Sequence, residues 1–267
     1  MKKLVLALAA VAALTAPALA ADMAPRPYTK APVAVAPVVN WTGCYVGGGG
    51  GYGLWNQENT SYSDRNLLAG TGPRVQTSDT STAGGRGYLG TVQAGCDYQF
   101  GLGSWNLLVG AFGDYDFESL KGRLNLPAST LFGDEKMSSS WTAGGRVGWL
   151  ITQNLLTYFS GGYTEARFDQ VNFHGNLNPP PIIYMNGRTY KGWFLGAGDE
   201  YALNFLPGLF WKTEYRLAEF DTRTNPLFFT GTSTLTTDSV DSKKWVQTIR
   251  SELVYRFNWG GSVGAKY

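Results

Sequence analysis

The sequence of 267 residues contains little of what catalytic and metal sites are usually built from, with one histidine and two cysteines. A Ser-His-Asp triad or a histidine-containing zinc cluster would have to use the single histidine, His174. Its neighbours Asn172, Phe173, Gly175 and Asn176 are typical of an ordinary loop. We therefore predict that the protein is not an enzyme and has no metal site and no cofactor. The alternative is an enzyme with His174 at its rim.

The chain also lacks an excess of charge of one sign. It has 22 Lys+Arg and 20 Asp+Glu, and Lys2 and Lys3 account for the difference. Nucleic-acid-binding domains usually carry a clustered basic surface. No nucleic-acid partner is therefore expected.

Long apolar runs are absent except near the start, at residues 4–14. This run is shorter than the ~20 residues that a membrane-spanning helix needs. Two lysines precede it, and the small residues Ala18 and Ala20 follow it, which is typical of a secretory signal peptide. We predict a signal peptide over residues 1–20, cleaved between Ala20 and Ala21, with an anchor helix as the alternative.

Four prolines distinguish the next segment, residues 21–40. Proline disrupts helices and is not accommodated in central strands. We predict a Pro-rich periplasmic leader here, either a spacer or a contact to the cell wall, and a folded domain over residues 41–267.

Glycine and aromatic residues are abundant instead, at 35 glycines and 14% aromatics. Seven glycines fall among the eleven positions from Gly43 to Gly53, and they include a formal G-x-G-x-x-G. A dinucleotide loop would require a helix to open at the last glycine. Polar residues that do not form an amphipathic helix follow Trp55, so we predict a strand in which glycine permits bending and close packing.

Beyond Trp41, apolar residues recur with a period of two in segments of ten to fifteen residues. Tryptophan and tyrosine belong to the apolar face, whereas the opposite face is charged. Outer-membrane barrels have this arrangement, with apolar residues and aromatic girdles facing lipid and polar residues facing inward. The predicted interior charges are Asp114, Asp116, Arg146, Glu200, Lys212, Glu214, Arg216, Arg250 and Glu252.

Connections of two kinds separate these segments. Long polar stretches cover roughly 56–85, 118–138, 168–188 and 221–243, and short ones lie near 101–103, 152–154 and 204–208. The fold class is therefore all-β. We predict an eight-stranded antiparallel up-and-down transmembrane β-barrel with four long extracellular loops and three short periplasmic turns. Its predicted location is the cell outer membrane of a Gram-negative bacterium.

Four segments carry a resemblance to a known family: WTGCYVGGGGGYG, VQAGCDYQFG, GWFLGAGDEYAL and VYRFNWGGSVGAKY. The chain resembles the small alphaproteobacterial outer-membrane proteins of the RopB type, which are similar to OmpA-like eight-stranded barrels. The resemblance implies insertion by the outer-membrane assembly machinery, which reads an aromatic residue at the end of the last strand. The residues that match this signal are Leu253, Tyr255 and Phe257, with Tyr267 as a further aromatic at the end of the chain.

Three positions depart from the family pattern: Cys44 and Cys96 stand where aromatics are expected, and Asp199 where an aliphatic residue is expected. We predict a disulfide between Cys44 and Cys96, which would lie near the same end of neighbouring antiparallel strands in an oxidising compartment. Two free, lipid-covered cysteines are the alternative.

For the function we predict a structural and surface-interaction role, with outer-membrane lipid and lipopolysaccharide as partners and a protein or surface ligand bound through the loops. The alternatives are a small diffusion porin and a secreted soluble ligand-binding barrel. Eight strands leave an interior that side chains fill, which argues against an open pore. The interior charges are interpreted as ion-paired filling, because an unpaired buried charge costs several kcal/mol; the alternative is paired catalytic groups. The loop segments 178–185 and 225–231 either pack on one another or form contact surfaces.

Overall fold

The computed structural model describes residues 39–176 and 180–257. The predicted signal peptide, its cleavage site at Ala20 and Ala21, residues 21–38 of the predicted leader, and Tyr267 lie outside the described residues. None of the described helices is long and apolar enough to cross a membrane.

Eight long strands form a closed antiparallel ring. Each pairs with its neighbour along the ring, and the pairing of the first with the last closes the barrel. This confirms the predicted eight-stranded barrel. The strands are β1 Gly43–Ser63, β3 Ser81–Leu102, β4 Trp105–Asn125, β5 Phe132–Thr152, β6 Leu155–Phe168, β9 Arg188–Ala202, β10 Leu209–Phe220 and β12 Leu235–Phe257.

The three short turns lie at one end of the barrel, here called the short-turn end. Leu102 pairs with Trp105 across a two-residue turn in which Gly103 has a φ of +61°, a conformation that favours glycine. Thr152 pairs with Leu155 in the same way. The third turn covers residues 203–208 and ends at Gly208, which has a φ of +85°.

At the opposite, loop end the strands run further than the sequence predicted. The predicted loop 118–138 is mostly strand, since β4 continues to Asn125 and β5 begins at Phe132, which leaves a connection of residues 126–131. The prediction of a long loop here is wrong. The physical reason is that the apolar face changes sides once β4 leaves lipid: Leu120 and Leu124 are buried inward while Lys121 and Arg123 face outward, so the apolar-outward alternation that marks the membrane strands is lost.

Short elements complete the loop end: α1 Arg65–Leu68, β2 Val75–Gln76, β7 Val171–Phe173, β8 Ile183–Met185 and β11 Arg223–Phe229. The β7–β8 hairpin pairs through β8 with β11, which pairs with β12. On its other side, His174 forms a backbone bridge to Phe132 at the start of β5. This hairpin therefore closes a second circuit above the ends of β6, β9 and β10.

The outer face of the barrel is apolar between two rings of exposed aromatic residues. The ring toward the loop end, here called the outer girdle, contains Tyr88, Tyr115, Phe117, Trp141, Tyr163, Trp193 and Tyr215. The ring toward the short turns contains Tyr98, Phe100, Trp105, Tyr201, Trp211, Tyr255 and Phe257. Aliphatic residues such as Val92, Val147 and Leu195 are exposed between the rings. This is the surface that a lipid-facing barrel requires.

The glycine-rich stretch lies within β1, as predicted. A Cβ on Gly49 would be 2.7 Å from the Cα of Glu252, and one on Gly53 would be 2.7 Å from the side chain of Leu120. A Cβ on Gly48, on the other face, would meet its nearest atom at 3.5 Å. Glycine is therefore required on the inward face, where β12 and the interior side chains approach the backbone closely.

Candidate functional site: the plugged interior of the barrel

All nine predicted interior charges are buried within the barrel, and each lies within 4 Å of an oppositely charged group. Alternate residues of a strand face the same side of the sheet. The sequence assigned these nine residues to the inward face on this ground, and the structure has them there. They form two clusters along the barrel, and a third charged cluster lies nearer the loop end.

The basal cluster lies toward the short-turn end and contains two arginines and two carboxylates. Arg146 donates to Asp97 at 2.9 Å and to Glu200 at 2.9 Å. Arg256 donates to the same two carboxylates at 2.6 Å and 2.7 Å. Each carboxylate thus bridges both guanidinium groups, and the cluster has no net charge.

Aromatic rings surround the basal cluster. Arg256 lies 5.0 Å from the ring centroid of Phe210 and 5.2 Å from that of Trp41, and Arg146 lies 4.8 Å from that of Tyr45. Cations at this distance from a ring face are attracted by its quadrupole. Rings and paired charges together fill this end of the lumen.

The central cluster joins four strands in the middle of the barrel. Arg216 donates to both oxygens of Asp114 at 3.1 Å and 3.0 Å, and it contacts Glu214 at 3.0 Å. Lys212 lies 2.9 Å from Glu214 and 3.6 Å from Glu252. The cluster is completed by Arg250, Asp116 and Gln93, with Arg250 3.0 Å from Asp116, and Lys212 2.8 Å from Gln93.

The upper cluster lies beyond the central one, toward the loop end. Lys244 is 2.7 Å from Glu135, and Gln57 donates to the same carboxylate at 2.7 Å. Lys244 also donates to Gln57. The ring of Phe168 lies 4.1 Å from the Lys244 ammonium. Both charged side chains are almost completely buried, so the pair is shielded from solvent.

An apolar cap lies at the loop end of the barrel above these charges, beside a cavity of about 500 Å³ that Leu126, Ile183 and Leu227 also line. It consists of Leu124, Leu126, Val171, Phe173, Ile183, Met185, Leu227 and Val240. Within the loop segments 178–185 and 225–231, residues 183–185 pair with residues 227–229, with Leu227 opposite Met185 and Phe228 opposite Tyr184. The rings of Phe228 and Tyr184 are stacked at 5.5 Å. The two segments thus pack on one another, and Ile182 and Phe229 within them remain exposed.

Little space is left between the filled layers. A cavity of about 20 Å³ lies between the central cluster and the upper part of the barrel, lined by Asp116, Glu118 and Thr142 among others. This is room for about one water molecule. Both carboxylate oxygens of Glu118 are buried without a hydrogen-bond partner among the described residues, which is consistent with hydration from this cavity.

Five further charged residues are buried in the interior and are not among the nine predicted ones: Asp97, Glu118, Glu135, Lys244 and Arg256. Asp97 and Arg256 share the inward parity of their strands, which is the signal that could have found them. Glu118 and Glu135 lie in the stretch 118–138 that was predicted as a loop, and Lys244 directly follows the predicted loop 221–243.

The predicted disulfide is present. Cys44 and Cys96 are directly opposite each other on β1 and β3 and are bonded. The remaining departure from the family pattern, Asp199, accepts a hydrogen bond from Thr157 at 2.5 Å on the outer face. This bond gives the lipid-side carboxylate a partner.

The aromatic residues at the end of the last strand face outward. Leu253, Tyr255 and Phe257 are exposed, and the rings of Tyr255 and Phe257 lie 5.2 Å apart. They are accessible on the outer wall at the short-turn end, where a last-strand assembly signal would have to be read.

The first connection at the loop end is anchored by one arginine. Arg74 donates to Asp64 at 2.7 Å, to Ser239 at 2.7 Å and to Asp241 at 3.1 Å. Burial alone would lower the pKa of Arg74, but its hydrogen bonds to Asp241 and Asp64 outweigh burial and raise the pKa. The connection over residues 64–80 is thereby fixed to β12.

His174 contributes to the fold through its backbone hydrogen bonds. It exchanges two backbone hydrogen bonds with Phe132, at 2.9 Å and 3.1 Å, and its ring packs edge-on against that of Phe132 at 5.0 Å. The residue therefore joins the β7–β8 hairpin to β5. Among the described residues there is no group of three or more metal-ligating side chains.

Solved structures that resemble the chain include the outer membrane protein OprG from Pseudomonas aeruginosa, at 12% identity and a TM-score of 0.44, covering 82% of this chain and 99% of that one. The attachment invasion locus protein Ail of Yersinia pestis is similar at 12% identity and a TM-score of 0.27, covering 79% of this chain and 99% of that one. At these scores no argument is built on either likeness, and the fold is supported by its own strand pairing.

No family model matches the chain. Sequence relatives are informative, however. The 31 kDa outer-membrane immunogenic proteins of Brucella melitensis biotype 1 and Brucella suis biovar 1 are each 30% identical over 258 residues, covering 94% of this chain and 98% of the relative. The chain is thus an outer-membrane protein, and it belongs to the family of the Brucella 31 kDa outer-membrane immunogenic proteins.

Proposed function

We propose that the protein is a closed structural barrel that presents its loop end as a contact surface on the cell, and that it is neither an open channel nor an enzyme. The observation that carries this proposal is the filled lumen. Three charged clusters and the apolar cap follow one another along the barrel, and the cavity between them holds about 20 Å³.

The ion pairs also explain why the filling would persist in the membrane. A solute could pass only if buried pairs such as Arg146 with Asp97 separated, and exposing one partner of a buried pair typically costs about 3–5 kcal/mol. Passage would require several such openings together with displacement of the cap. A diffusion porin, the alternative, would need a continuous aqueous path.

The proposed contact surface is the loop end, where residues 64–80, 126–131, 180–182 and 230–234 connect the strands or flank the cap. Exposed apolar residues lie here, among them Ile182, Phe229 and Leu235. The immunogenic character in the relatives' name supports the view that such surfaces are accessible from outside. The proposal includes a role in envelope integrity, adhesion through the loops, and the finer resemblance to the RopB type.

Replacing residues 65–73 and, separately, residues 230–234 by glycine-serine linkers of equal length tests the surface role. Cells that carry each variant would be compared with wild type for binding to host-cell surfaces and to extracellular matrix. We expect at least one replacement to reduce binding while the barrel remains in the outer membrane. Unchanged binding for both variants would contradict the surface role, and liposome swelling by the wild-type protein would favour the porin instead.

A further inference from the structure

A cleft opens in the outer wall of the barrel on the loop side of the outer girdle. It forms because β10 ends at Phe220, paired with Gly192 of β9, whereas β11 begins at Arg223 and pairs with β12. The first residues of β9 are therefore left without a strand beside them on that side. The resulting cleft has a volume of about 660 Å³.

Three arginines line this cleft, namely Arg167 at the end of β6, Arg188 at the start of β9 and Arg223 at the start of β11. The one carboxylate in the lining, Asp169, accepts a hydrogen bond from Ser138 at 2.8 Å. The remaining lining is uncharged and includes Gln170, Asn186 and Thr189. The cleft thus has a formal excess of two positive charges.

None of these guanidinium groups has a carboxylate within 4 Å among the described residues. Nearby outward lysines behave differently, since Lys243 is 2.7 Å from Glu219 and Lys191 is 3.5 Å from Glu165. The Nε of Arg223 is moreover buried without any hydrogen-bond partner. A buried donor without a partner is unfavourable by about 1–3 kcal/mol. Arg223 therefore has an unsatisfied donor at the cleft, and all three guanidinium groups lack a carboxylate partner there.

The distance of the cleft from the outer girdle indicates which layer of the membrane lies beside it. Tyr163 and Trp193 of the outer girdle are directly paired, and Arg167 follows Tyr163 by four residues on the same strand. At ~3.3 Å per residue and a strand tilt of ~45°, the guanidinium lies roughly 10 Å beyond the girdle. The girdle lies at the level of the headgroups, and this layer is only ~5–8 Å thick on each side of a bilayer, so the cleft lies at its outer edge, within reach of a headgroup that projects toward the solvent.

We propose that this cleft binds the phosphorylated headgroup of an outer-leaflet glycolipid of the lipid A class. Guanidinium groups present paired donors that match phosphate oxygens, so three of them around one cleft suit a phosphate on a sugar. The uncharged amides and hydroxyl of the lining match sugar hydroxyl groups. The volume lies in the range of pockets that hold a small molecule. The acyl chains would continue along the apolar wall between the girdles.

The test uses the refolded full-length protein in detergent micelles and counts bound lipid by native mass spectrometry. Bis-phosphorylated lipid A would be titrated against the wild type and against R167Q/R188Q/R223Q. We expect the triple variant to bind about tenfold more weakly or worse, because charge-assisted hydrogen bonds to the phosphates are lost. The single variant R223Q, which removes the unpartnered donor, is expected to lose part of this affinity and serves if the triple variant does not refold.

The matched control is R86Q/K121Q/K136Q, which removes the same charge from an outward row on β3, β4 and β5. These three residues face one another across paired strands but form no cleft. We expect this variant to bind lipid A as the wild type does. If both triple variants weakened lipid A binding equally, the proposal would be overturned, because the lipid would then be attracted by positive charge in general and not bound in the cleft.

Two further probes identify the ligand chemistry. Lipid A from which both phosphates have been removed should bind as weakly as the cleft variant binds the intact lipid, and equally tight binding of both lipids would overturn the proposal. Sodium phosphate at millimolar concentration should leave the intact lipid bound. Displacement by inorganic phosphate would show a free-anion site and would overturn the assignment to a lipid.

Discussion

At the scale of single residues, the interior of this barrel depends on charges that share partners. Asp97 and Glu200 each bind both Arg146 and Arg256, and the four side chains are buried. Each of these charged side chains therefore binds two oppositely charged partners. Such extra hydrogen bonds compensate for the loss of hydration, which is the condition under which buried charges are tolerated. Removing one of the two carboxylates leaves both arginines with one charged partner fewer.

Glu200→Gln tests this arrangement. We expect it to lower the free energy of unfolding in micelles by about 3–5 kcal/mol, the usual effect of breaking a buried pair. The measurement is urea unfolding followed by tryptophan fluorescence. Glu165→Gln is the control, since its partner Lys191 is 3.5 Å away and half exposed, and it should change little. Equal losses in the two variants would contradict the account.

The disulfide is the second feature at this scale. It joins paired residues of β1 and β3 that are 52 positions apart in the sequence. In the loop-entropy model such a cross-link stabilises the fold by roughly 4 kcal/mol through the unfolded chain. We expect C44A/C96A to keep its barrel spectrum but to unfold at lower urea concentration. Alkylation of two thiols in the unfolded, unreduced wild type would instead show that the bond does not form.

At the scale of elements, the parts that face lipid could be predicted from the sequence and the parts beyond lipid could not. Alternation marked the strands near Tyr88, Trp141 and Trp211 because one face is apolar there. Residues 56–63 of β1 are polar on both faces, so their strand structure left no such pattern. Ion-pair partners could not be predicted either, since Arg146 and Glu200 are 54 positions apart in the sequence and are brought together only by the register of the closed sheet.

The inward face of β1 gives a prediction at this scale. Gly51→Val would place a side chain against the carbonyl oxygen of Ile249 and the Cα of Arg250. We expect this variant to fail to assemble, as judged by loss of the fast-migrating folded band on unboiled detergent gels. Gly48→Ala, whose Cβ has its nearest neighbour at 3.5 Å, should migrate as the wild type does. A folded Gly51→Val barrel would show that the close packing of β1 and β12 is not required.

The β7–β8 hairpin is the other element with a distinct role. Phe173 is fully buried in the apolar cap, whereas Ile182 on the same hairpin is half exposed. Phe173→Ala should destabilise the cap by about 3–5 kcal/mol and should speed proteolysis of residues 171–185 from outside intact cells. Ile182→Ala should leave proteolysis unchanged. Equal protection in both variants would mean that the hairpin is not held by the cap.

At the scale of the whole molecule, the barrel combines two closed circuits of strands with one continuous filling. The lower circuit crosses the membrane and contains the basal and central charges, and the upper circuit contains the apolar cap. The strand count of eight predicted a filled lumen. The cap could not be predicted, because it forms only where the β7–β8 hairpin takes the place of β6, β9 and β10 in the upper circuit. Within the described residues, the charged clusters and the apolar cap follow one another along the barrel axis.

Single-channel recording in planar bilayers tests this central claim most directly. Purified, folded protein should give no reproducible large conductance under conditions in which a sixteen-stranded porin, used as the positive control, opens steadily. The reason is that charged clusters from Asp97 to Lys244 fill the barrel, and the cavity between the central cluster and the upper part of the barrel has a volume of only about 20 Å³. Reproducible, nanosiemens-scale channels from the pure wild-type protein would contradict the account and would favour a diffusion porin.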